Sequence, residues 1–408
     1  MKIIRRKTKT IKIGSVYIGG TNPIAIQSMT KAKTSDIEKT IRQIKELEKA
    51  DCQIVRLAVK DSDDARAIKK IKPRVNIPLV ADIHFNWRLA LEAIDSGIDK
   101  IRLNPGNIYK KEQIREIAGA AKLNRIPIRV GVNSGSLKSH KSGVTGQASQ
   151  ADKMVKSTLD YIKILEGFKF YDIVVSLKAS NILDTVEAYR KMAKLCEYPF
   201  HLGVTATGLP QRGAIKSSIA IGALLLEGIG DTIRVSLTDK PEPEVYTARG
   251  ILESLGLRYF GPEIISCPTC GRCEVDLVSI VKKMENLLSR YPVIPLSRLT
   301  GKRANGSTGS GSTGSPFALS EQSESKGSPS LEPSRAKSRD GQTGKPFKVA
   351  IMGCVVNGPG EAREADIGVA FGRKEGLLFR NGQAIKKVSF SNCIATLLKE
   401  LRHLKNHI

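Results

Sequence analysis

The chain has 408 residues, of which 40% are hydrophobic and 26% charged, so it suits a globular protein with room for two domains. Its formal net charge of +26 fits an anionic ligand, nucleic acid, an acidic partner or simply a basic solvated surface. Aromatic residues make up only 5% and are not interleaved with basic runs, which argues against a single-strand nucleic-acid groove.

The first segment, residues 1–7, is basic and lacks the apolar core of a signal peptide. No apolar run in the chain reaches the roughly 18 residues that a membrane span needs. We therefore expect a cytoplasmic protein without a membrane partner. In that compartment thiols are reduced, so clustered cysteines indicate metal ligands rather than disulfides.

From residue 24 to about residue 238, short apolar strands alternate with helical stretches. Eight strands are predicted, at residues 24–28, 53–59, 78–84, 100–104, 127–133, 171–178, 199–205 and 232–237. Such alternation indicates a parallel sheet with right-handed crossovers, and eight units are typical of a (β/α)8 TIM-type barrel. An open doubly wound sheet is the alternative, which the lack of a Gly-rich dinucleotide fingerprint after the first strand disfavours.

The pattern changes after residue 257, so we predict a barrel domain over residues 1–258 and a small α+β domain over residues 259–408. Residues 301–345 are rich in Gly, Ser and Thr and lack periodicity, which predicts a disordered insert in the second domain. Asn381-Gly382 predicts a tight turn there. In the barrel, a Ser- and Gly-rich loop at residues 133–150 is predicted on the C-terminal rim, where active-site lids tend to lie.

Four predicted barrel strands each carry one arginine inside an apolar run: Arg56, Arg102, Arg129 and Arg234. Buried arginine is unfavourable unless paired, and these four would converge on the C-terminal mouth of the barrel. Because guanidinium groups bind phosphate oxygens bidentately, we predict a diphosphate-type polyanionic ligand at this mouth. The alternative is a set of internal Arg–Asp pairs, for which Asp82 is the clearest partner. The same strand ends also offer Asp82, His84, Asn104, Asn133, Ser176, Lys178, His201 and Ser236.

Asp82 and His84 lie two residues apart and therefore on one face of their strand. The spacing suits an acid/base pair, ligands of a hard metal, or a hydrogen-bond network at the rim. The sequence leaves these three roles open.

Three of the seven cysteines, Cys267, Cys270 and Cys273, are separated by two residues each, and Cys354 follows far downstream. Such spacing lets several thiolates converge on one metal centre. Zinc and iron–sulfur both fit it, but zinc ribbons usually have two C-x2-C pairs, so an iron–sulfur cubane suits these four better. The remaining cysteines are predicted to be small core residues: Cys52, Cys196 and Cys393.

Several segments together resemble the hydroxymethylbutenyl diphosphate synthase family of the methylerythritol phosphate route to isoprenoids. They are residues 25–30, 54–57, 101–106, 228–237, 267–272 and 352–361. The resemblance spans nearly the whole chain except residues 301–345. It implies a TIM-type barrel followed by a reductase-like domain. The implied reaction is reductive ring opening of methylerythritol cyclodiphosphate to hydroxymethylbutenyl diphosphate, with two electrons from ferredoxin or flavodoxin.

The resemblance further implies a [4Fe-4S] cluster held by Cys267, Cys270, Cys354 and Glu361, with Cys273 beside it. A carboxylate binds iron more weakly than thiolate, so one iron could exchange Glu361 for a substrate oxygen, and we assign Glu361, Asp82 and His84 catalytic roles. Family enzymes are homodimers in which one chain's cluster domain caps the other's barrel. The implied substrate contacts are Arg56, Arg102, Arg129, Asn133, Lys178, His201, Arg234 and Ser236.

One position departs from the family pattern. After the seventh strand the family has Gly-Val-Thr-Glu-Ala-Gly, whereas residues 203–208 read Gly-Val-Thr-Ala-Thr-Gly. Ala206 thus replaces a glutamate implied to bind substrate and deliver a proton, a role that would pass to Asp82, His84 or a water held by Thr207. One alternative is therefore a catalytically silent homologue that senses a diphosphate. Another, from the +26 charge, is a zinc-stabilised barrel that binds nucleic acid.

Overall fold

The computed structural model describes residues 3–137, 148–288 and 347–406, with side chains up to His403. The chain folds into two compact units, Met1–Phe260 and Gly261–Ile408. The predicted insert at residues 301–345 lies outside the described residues, as do residues 138–147 of the predicted rim loop. Within the described ranges, no helix is both long enough and apolar enough to cross a membrane.

A hairpin that the sequence analysis missed precedes the barrel. Its antiparallel strands are β1 (Ile11–Ile13) and β2 (Val16–Ile18). Gly14 in the connecting turn has a φ of +54°, a left-handed conformation that glycine adopts without steric penalty.

Eight parallel strands form the barrel of the first unit, as the alternating pattern predicts. They are β3 (Ala25–Met29), β4 (Ile54–Val59), β5 (Leu79–Ile83), β6 (Lys100–Leu103), β7 (Ile128–Asn133), β8 (Ile173–Lys178), β9 (His201–Leu202) and β10 (Thr232–Ile233). The hydrogen-bonded order is β8-β7-β6-β5-β4-β3-β10-β9, and a parallel bridge between Val175 and Phe200 joins the two ends. β9 and β10 are shorter than predicted because their regular strand pairing covers only two residues each. The chain then continues into the loops that carry Ala206 and Ser236.

Eight helices follow the barrel strands. They are α1 (Ile37–Lys49), α2 (Ser62–Ile71), α3 (Arg88–Asp95), α4 (Lys111–Leu123), α5 (Gln150–Gly167), α6 (Ile182–Ala193), α7 (Pro210–Leu226) and α8 (Glu242–Ser254). α1 shows how the sequence specifies them: Asp36 accepts a hydrogen bond from the Lys39 N–H at its N-terminus, and Ile41, Ile44 and Leu47 form its buried face.

The interior of the barrel has an apolar floor below a polar layer. Small and branched apolar side chains of four strands point inwards near their N-terminal ends, where the β1–β2 hairpin packs against them. This floor consists of Ile11, Ile13, Ile18, Ala25, Ile54, Val80 and Val174. Since side chains alternate along a strand, the next inward positions lie one layer higher, and these are the polar ones.

The second unit is a five-stranded mixed sheet with three described helices. Its elements are β11 (Glu263–Ser266), α9 (Leu277–Leu288), β12 (Lys348–Met352), α10 (Gly358–Glu364), β13 (Ile367–Phe371), β14 (Gly376–Arg380), β15 (Gln383–Val388) and α11 (Cys393–Asn406). The first three strands are parallel and the last three antiparallel. Asn381 and Gly382, both with positive φ, form the predicted turn between β14 and β15.

Candidate active site

The predicted arginines lie on the inner face of the barrel, close to one another. Arg102 on β6 pairs in register with Asp82 on β5 and with Arg129 on β7. Asp82, Arg102 and Arg129 are 4%, 6% and 1% exposed, and Arg56 is 9% exposed. Four strands therefore bring these charges to one level inside the barrel.

Asp82 lies between two of the arginines. One of its carboxylate oxygens accepts from Arg102 Nη1 at 3.1 Å, and the other is 3.5 Å from Arg56 Nε. Burial by itself would raise the pKa of Asp82, but the guanidinium groups, those of Arg56 and Arg102 foremost, lower it below its usual value. Asp82 is therefore a carboxylate at neutral pH. This favours a role in orienting arginines and disfavours the predicted role of proton donor.

The buried cations outnumber the buried carboxylates in this layer. Arg234 is nearly enclosed as well, with its side chain 13% exposed. Two buried carboxylates, Asp82 and Glu244, face five buried basic side chains. These basic side chains are Arg56, Lys100, Arg102, Arg129 and Lys178. Because an uncompensated buried charge is very unfavourable, the excess creates a strong preference for a bound polyanion.

Several donors of this layer have no hydrogen-bond partner within the described part of the chain. They are Nε and Nη1 of Arg129, Nε of Arg102, Nε of Arg234, Nζ of Lys178 and Nε2 of His201. Buried polar groups are nearly always bonded in proteins, so these donors indicate where an anionic ligand would make its contacts. Among the described residues, Arg56 donates hydrogen bonds to a weak acceptor, Sδ of Met29, at 3.0 and 3.2 Å.

Burial and the charges of neighbouring cations lower the pKa values of Lys178 and His201. The pKa of Lys178 lies well below its ordinary value, first because of burial and then because of the Arg129 charge. Burial, followed by the Lys178 charge, also lowers the pKa of His201 far below its usual value. His201 is therefore neutral, with Nδ1 bonded to Thr232 Oγ1 at 2.8 Å and Nε2 unbonded.

Two glycines make room for these long side chains. At Gly131 a Cβ would lie 2.7 Å from Arg102 Nε, and the Gly131 carbonyl accepts from Arg102 Nη2 at 2.8 Å. At Gly203 a Cβ would lie 2.7 Å from Lys178 Nζ and 2.5 Å from the Arg234 carbonyl oxygen. Any other residue at either position would displace a cation from the barrel interior.

The remaining predicted residues lie around the rim. Asn133 and Lys178 pair in register at the ends of β7 and β8. His84 follows β5 and is half-buried. Thr207 Oγ1 donates to the Ser236 carbonyl oxygen, which joins the loops after β9 and β10. Beside it, Ala206 is exposed and has a φ of +54°.

Glu244 is a site residue that the sequence analysis missed. Its carboxylate, 1% exposed, accepts from Ser28 Oγ at 2.9 Å and Lys31 Nζ at 2.8 Å. It also lies 3.5 Å from Arg234 Nη2, so it orients this arginine. Its position four residues before buried Ala248 places it on the apolar face of α8, and a carboxylate on such a face could have signalled the role.

Lys100 is a second missed residue. It is fully buried, with Nζ 3.5 Å from the Gln27 side-chain oxygen. It lies two residues before Arg102 on the same strand and therefore on the same inward face. The period-two spacing that was applied to Asp82 and His84 relates Lys100 to Arg102 in the same way.

The second unit brings the two predicted ligand segments together. Cys267 follows β11 and Cys354 follows β12, and these strands are parallel neighbours, so their carboxyl ends meet at one edge. The Gly353 N–H donates to Cys267 Sγ at 3.3 Å. The Glu274 N–H donates to the Gly353 carbonyl oxygen at 2.9 Å. Backbone hydrogen bonds thus tie residues 267–274 to the turn before Cys354.

Arg272 lies among the three predicted thiol ligands. The pKa of this arginine is raised, first by its hydrogen bond to Cys270 and then by the charges of Cys270, Cys354 and Cys267. Reciprocally, hydrogen bonds from the Arg272 backbone and side chain lower the pKa of the exposed Cys270 thiol. The Arg272 cation therefore stabilises the thiolate form of Cys270.

Glu361 is exposed in the first turn of α10, seven residues after Cys354. Within the described ranges, no three His, Cys, Asp or Glu side chains adopt the arrangement of a metal site. All seven cysteines are free thiols. The four-ligand set therefore stays a prediction, for which the donor chemistry is suitable: soft thiols, adjacent strand ends and an N–H donated to sulfur.

Comparison with known proteins identifies the family. The GcpE TIM-barrel domain matches residues 8–249, and the GcpE protein C-terminal domain matches residues 333–403. The chain belongs to the GcpE family.

Relatives of the GcpE family match this chain over nearly its whole length. A protein of Fusobacterium nucleatum is 46% identical over 396 residues, covering 97% of both chains, and is named 4-hydroxy-3-methylbut-2-en-1-yl diphosphate synthase (flavodoxin). One of Clostridium perfringens with the same name is 46% identical over 395 residues, covering 97% of this chain and 98% of its own. The family resemblance inferred from the motifs is confirmed.

A solved structure of dihydropteroate synthase from Xanthomonas albilineans aligns at 12% identity and a TM-score of 0.44, covering 60% of this chain and 98% of that one. This similarity is too low to support a conclusion about the GcpE chain.

Proposed function

We propose that this chain forms 4-hydroxy-3-methylbut-2-enyl diphosphate from 2-C-methyl-D-erythritol 2,4-cyclodiphosphate, with electrons supplied by a flavodoxin. The relatives' names support the product and the donor. The observation that carries the substrate class is the excess of buried cations in the barrel, because a cyclic diphosphate supplies the missing negative charge. Ring opening adds two electrons and two protons, breaks the bond between carbon and a ring phosphate oxygen, and releases one oxygen as water.

The barrel residues hold the diphosphate in this proposal. Unbonded donors of Arg129, Lys178 and Arg234 would bind phosphate oxygens. Asp82 and Glu244 keep the guanidinium planes in place before the substrate arrives, so little ordering is needed at binding. Asn133, His201 and Ser236 complete the proposed contact set, and neutral His201 would donate through Nε2.

The cysteine centre is proposed to hold a [4Fe-4S] cluster through Cys267, Cys270, Cys354 and Glu361. When bound, such a cluster supplies electrons one at a time and a Lewis-acidic iron. The Gly353 N–H stabilises negative charge on Cys267 Sγ, and Arg272 does so for the exposed Cys270. Assigning substrate binding to the barrel unit and the cluster to the second unit is part of the same proposal.

The proton donor is proposed to be His84. Asp82 stays ionised beside its arginines, and Ala206 carries no acid. His84 is half-buried at the end of β5, two residues from Asp82, so it lies at the mouth with access to water. We also propose, as the resemblance implies, that the chain acts as a cytoplasmic homodimer.

The test of this function is anaerobic purification, iron and sulfide analysis, and turnover of the cyclodiphosphate with reduced flavodoxin. About four iron and four sulfide per chain with turnover would support the proposal. A bound cluster without turnover would favour the silent sensor, and zinc without iron would favour the zinc-stabilised barrel. No structural observation favours either alternative.

Binding of inorganic pyrophosphate is expected to weaken as pH rises, because of Lys178. In the free protein its pKa is lowered by burial and by Arg129, whereas a bound anion favours the ammonium form and raises the pKa. Binding then takes up a proton, so Kd increases by up to about tenfold per pH unit above the free-state pKa. Calorimetry in two buffers of different ionisation enthalpy measures this uptake. Lys178→Met should bind with less proton uptake, and an unchanged uptake would contradict the assignment.

Restoring the family's glutamate is expected to raise turnover. Ala206 is exposed and already in the left-handed region, so Ala206→Glu adds a carboxyl group with little new backbone strain. General acid catalysis contributes about 10²–10⁴-fold, and we expect kcat to rise about tenfold or more. The matched control Ala206→Gln has the same size without the acid. Equal kcat values for the two variants would show that this position no longer supports proton transfer.

A further inference from the structure

Cys273 packs directly against the backbone of Gly353, the residue before Cys354. A Cβ placed on Gly353 would lie 2.4 Å from Cys273 Sγ, which is closer than real carbon–sulfur contacts come. The Cys273 thiol donates to the Val275 carbonyl oxygen at 3.2 Å. Its backbone N–H donates to the Cys270 carbonyl oxygen at 2.9 Å. The half-buried Cys273 side chain is thus hydrogen-bonded, and it lies where only glycine fits at position 353.

The same glycine is held by the cysteine segment on both of its backbone polar groups. Its N–H donates to Cys267 Sγ at 3.3 Å, and its carbonyl accepts from the Glu274 N–H at 2.9 Å. The Cys273 thiol adds a packing contact beside these two bonds. Together the three contacts fix the turn that presents Cys354 relative to Cys267.

We infer that Cys273 is a positioning residue: its thiol, seated on Gly353, sets the geometry in which Cys267 and Cys354 bind the cluster, and it is not itself a ligand. This inference rests on the proposed cluster. To bind iron, the Cys273 thiol would have to leave both the Val275 carbonyl and the space over Gly353. It is half-buried and packs against the apolar core of the second unit, as Cys267 does, whereas Cys270 is exposed.

A double-mutant cycle tests the pairing of these two positions. Gly353→Ala forces the thiol and the new methyl group into the same space, and overpacking of this kind is destabilising, so we expect cluster content to fall about tenfold. In Gly353→Ala/Cys273→Ala the sulfur is gone, and the nearest atoms to the new methyl are Leu277 Cδ2 at 3.3 Å and Cys273 Cβ at 3.5 Å. The double variant should therefore recover the cluster content of Cys273→Ala.

The single variants at Cys273 show whether this residue positions Gly353 or binds iron itself. Cys273→Ser retains a donor to the Val275 carbonyl and a similar size, so it should match the unmodified chain. Cys273→Ala should retain four iron per chain but lose them faster under a chelator, by about threefold. Its reduction potential should become more negative, because a looser Gly353 N–H stabilises the Cys267 thiolate less in the reduced cluster.

The readouts are iron and sulfide per chain, cluster lifetime with a chelator, the reduction potential, and the unfolding midpoint of the iron-free proteins. Loss of iron in Cys273→Ser, or a three-iron EPR signal, would make Cys273 a ligand and overturn the inference. A double variant whose cluster content is no higher than that of Gly353→Ala would also overturn the inference. If the unmodified chain holds no cluster, the proposed function fails as well. If the chain holds the cluster but the double-mutant cycle shows no coupling between Cys273 and Gly353, only the positioning role is contradicted.

Discussion

Replacing Arg129 with methionine is expected to lower kcat/KM for the cyclodiphosphate, and affinity for inorganic pyrophosphate, by about 100-fold or more. Arg129 is 1% exposed and has two nitrogens without a partner among the described residues. Removing one member of a buried charge pair costs about 2–5 kcal/mol in a complex, which corresponds to a loss of about 30-fold to a few thousand-fold. The loss should appear at all pH values, since methionine has no proton to exchange.

The same substitution should stabilise the free protein. Arg129 lies near Arg56 and Arg102, and burial together with their charges keeps its pKa well below the ordinary value. A methionine of similar volume removes this repulsion, and replacing buried charges with apolar groups is often stabilising by about 1–4 kcal/mol. We therefore expect a higher Tm without ligand and a smaller rise in Tm on adding pyrophosphate.

Arg66→Met is the matched control, because Arg66 lies exposed on α2 beside Asp63 and its removal changes the net charge equally. It should leave kcat/KM and Tm nearly unchanged. A less stable Arg129→Met protein with intact pyrophosphate binding would instead make Arg129 a structural residue. That outcome would revive the alternative of internal ion pairs that support the barrel.

Substitution of Cys354 by serine is expected to abolish turnover, by about 10³-fold or more, with loss of most of the iron. Cys354 follows β12 at the sheet edge where Cys267 follows β11, and the proposed cluster has only two other thiolates. A serine hydroxyl is a poorer ligand for iron than thiolate, so the cluster should not persist. Iron and sulfide analysis, the visible absorbance and EPR of the reduced protein measure this loss.

Cys196→Ser is the control for Cys354→Ser, because Cys196 lies in the barrel unit after α6, where its thiol pKa is raised by burial. It should retain iron, sulfide and turnover. Full iron content in Cys354→Ser would show that the ligand set is wrong at this position. In that case Cys273 would be the next thiol to test.

The barrel could be predicted from the sequence because its strands and helices have different periods. Ile41, Ile44 and Leu47 recur at helical spacing, while the short apolar runs between helices fit strands buried on both faces. The β1–β2 hairpin was missed because three-residue strands carry almost no periodic signal. Its Gly14-Ser15 turn was the only local indication.

Most of the barrel residues of the candidate site could also be predicted, from charged and polar residues within apolar strands or directly after them. Arg56, Arg102 and Arg129 stood out as charges within apolar runs. Lys100 obeys the same rule but begins its strand, where a lysine is normally solvated. Glu244 comes from a helix, and only the three-dimensional fold shows that its carboxylate reaches Arg234.

The cysteine centre illustrates what spacing alone does not reveal. The regular intervals of Cys267, Cys270 and Cys273 suggest three equivalent ligands. Their environments differ, however: Cys270 is exposed beside Arg272, and Cys273 is half-buried and packs on Gly353. A contact between residues 80 positions apart depends on how β11 and β12 pair, and no local pattern encodes it.

The β1–β2 hairpin affects how substrate would enter the barrel and how product would leave it. Among the described residues, Ile11, Ile13 and Ile18 close the N-terminal end of the barrel, so the polar layer opens towards the C-terminal rim. Substrate and product would have to pass through it in turn, and the product retains a diphosphate that fits the same cations. Release of the product, rather than binding of the substrate, would then limit turnover at high substrate concentration, and the product would be a competitive inhibitor.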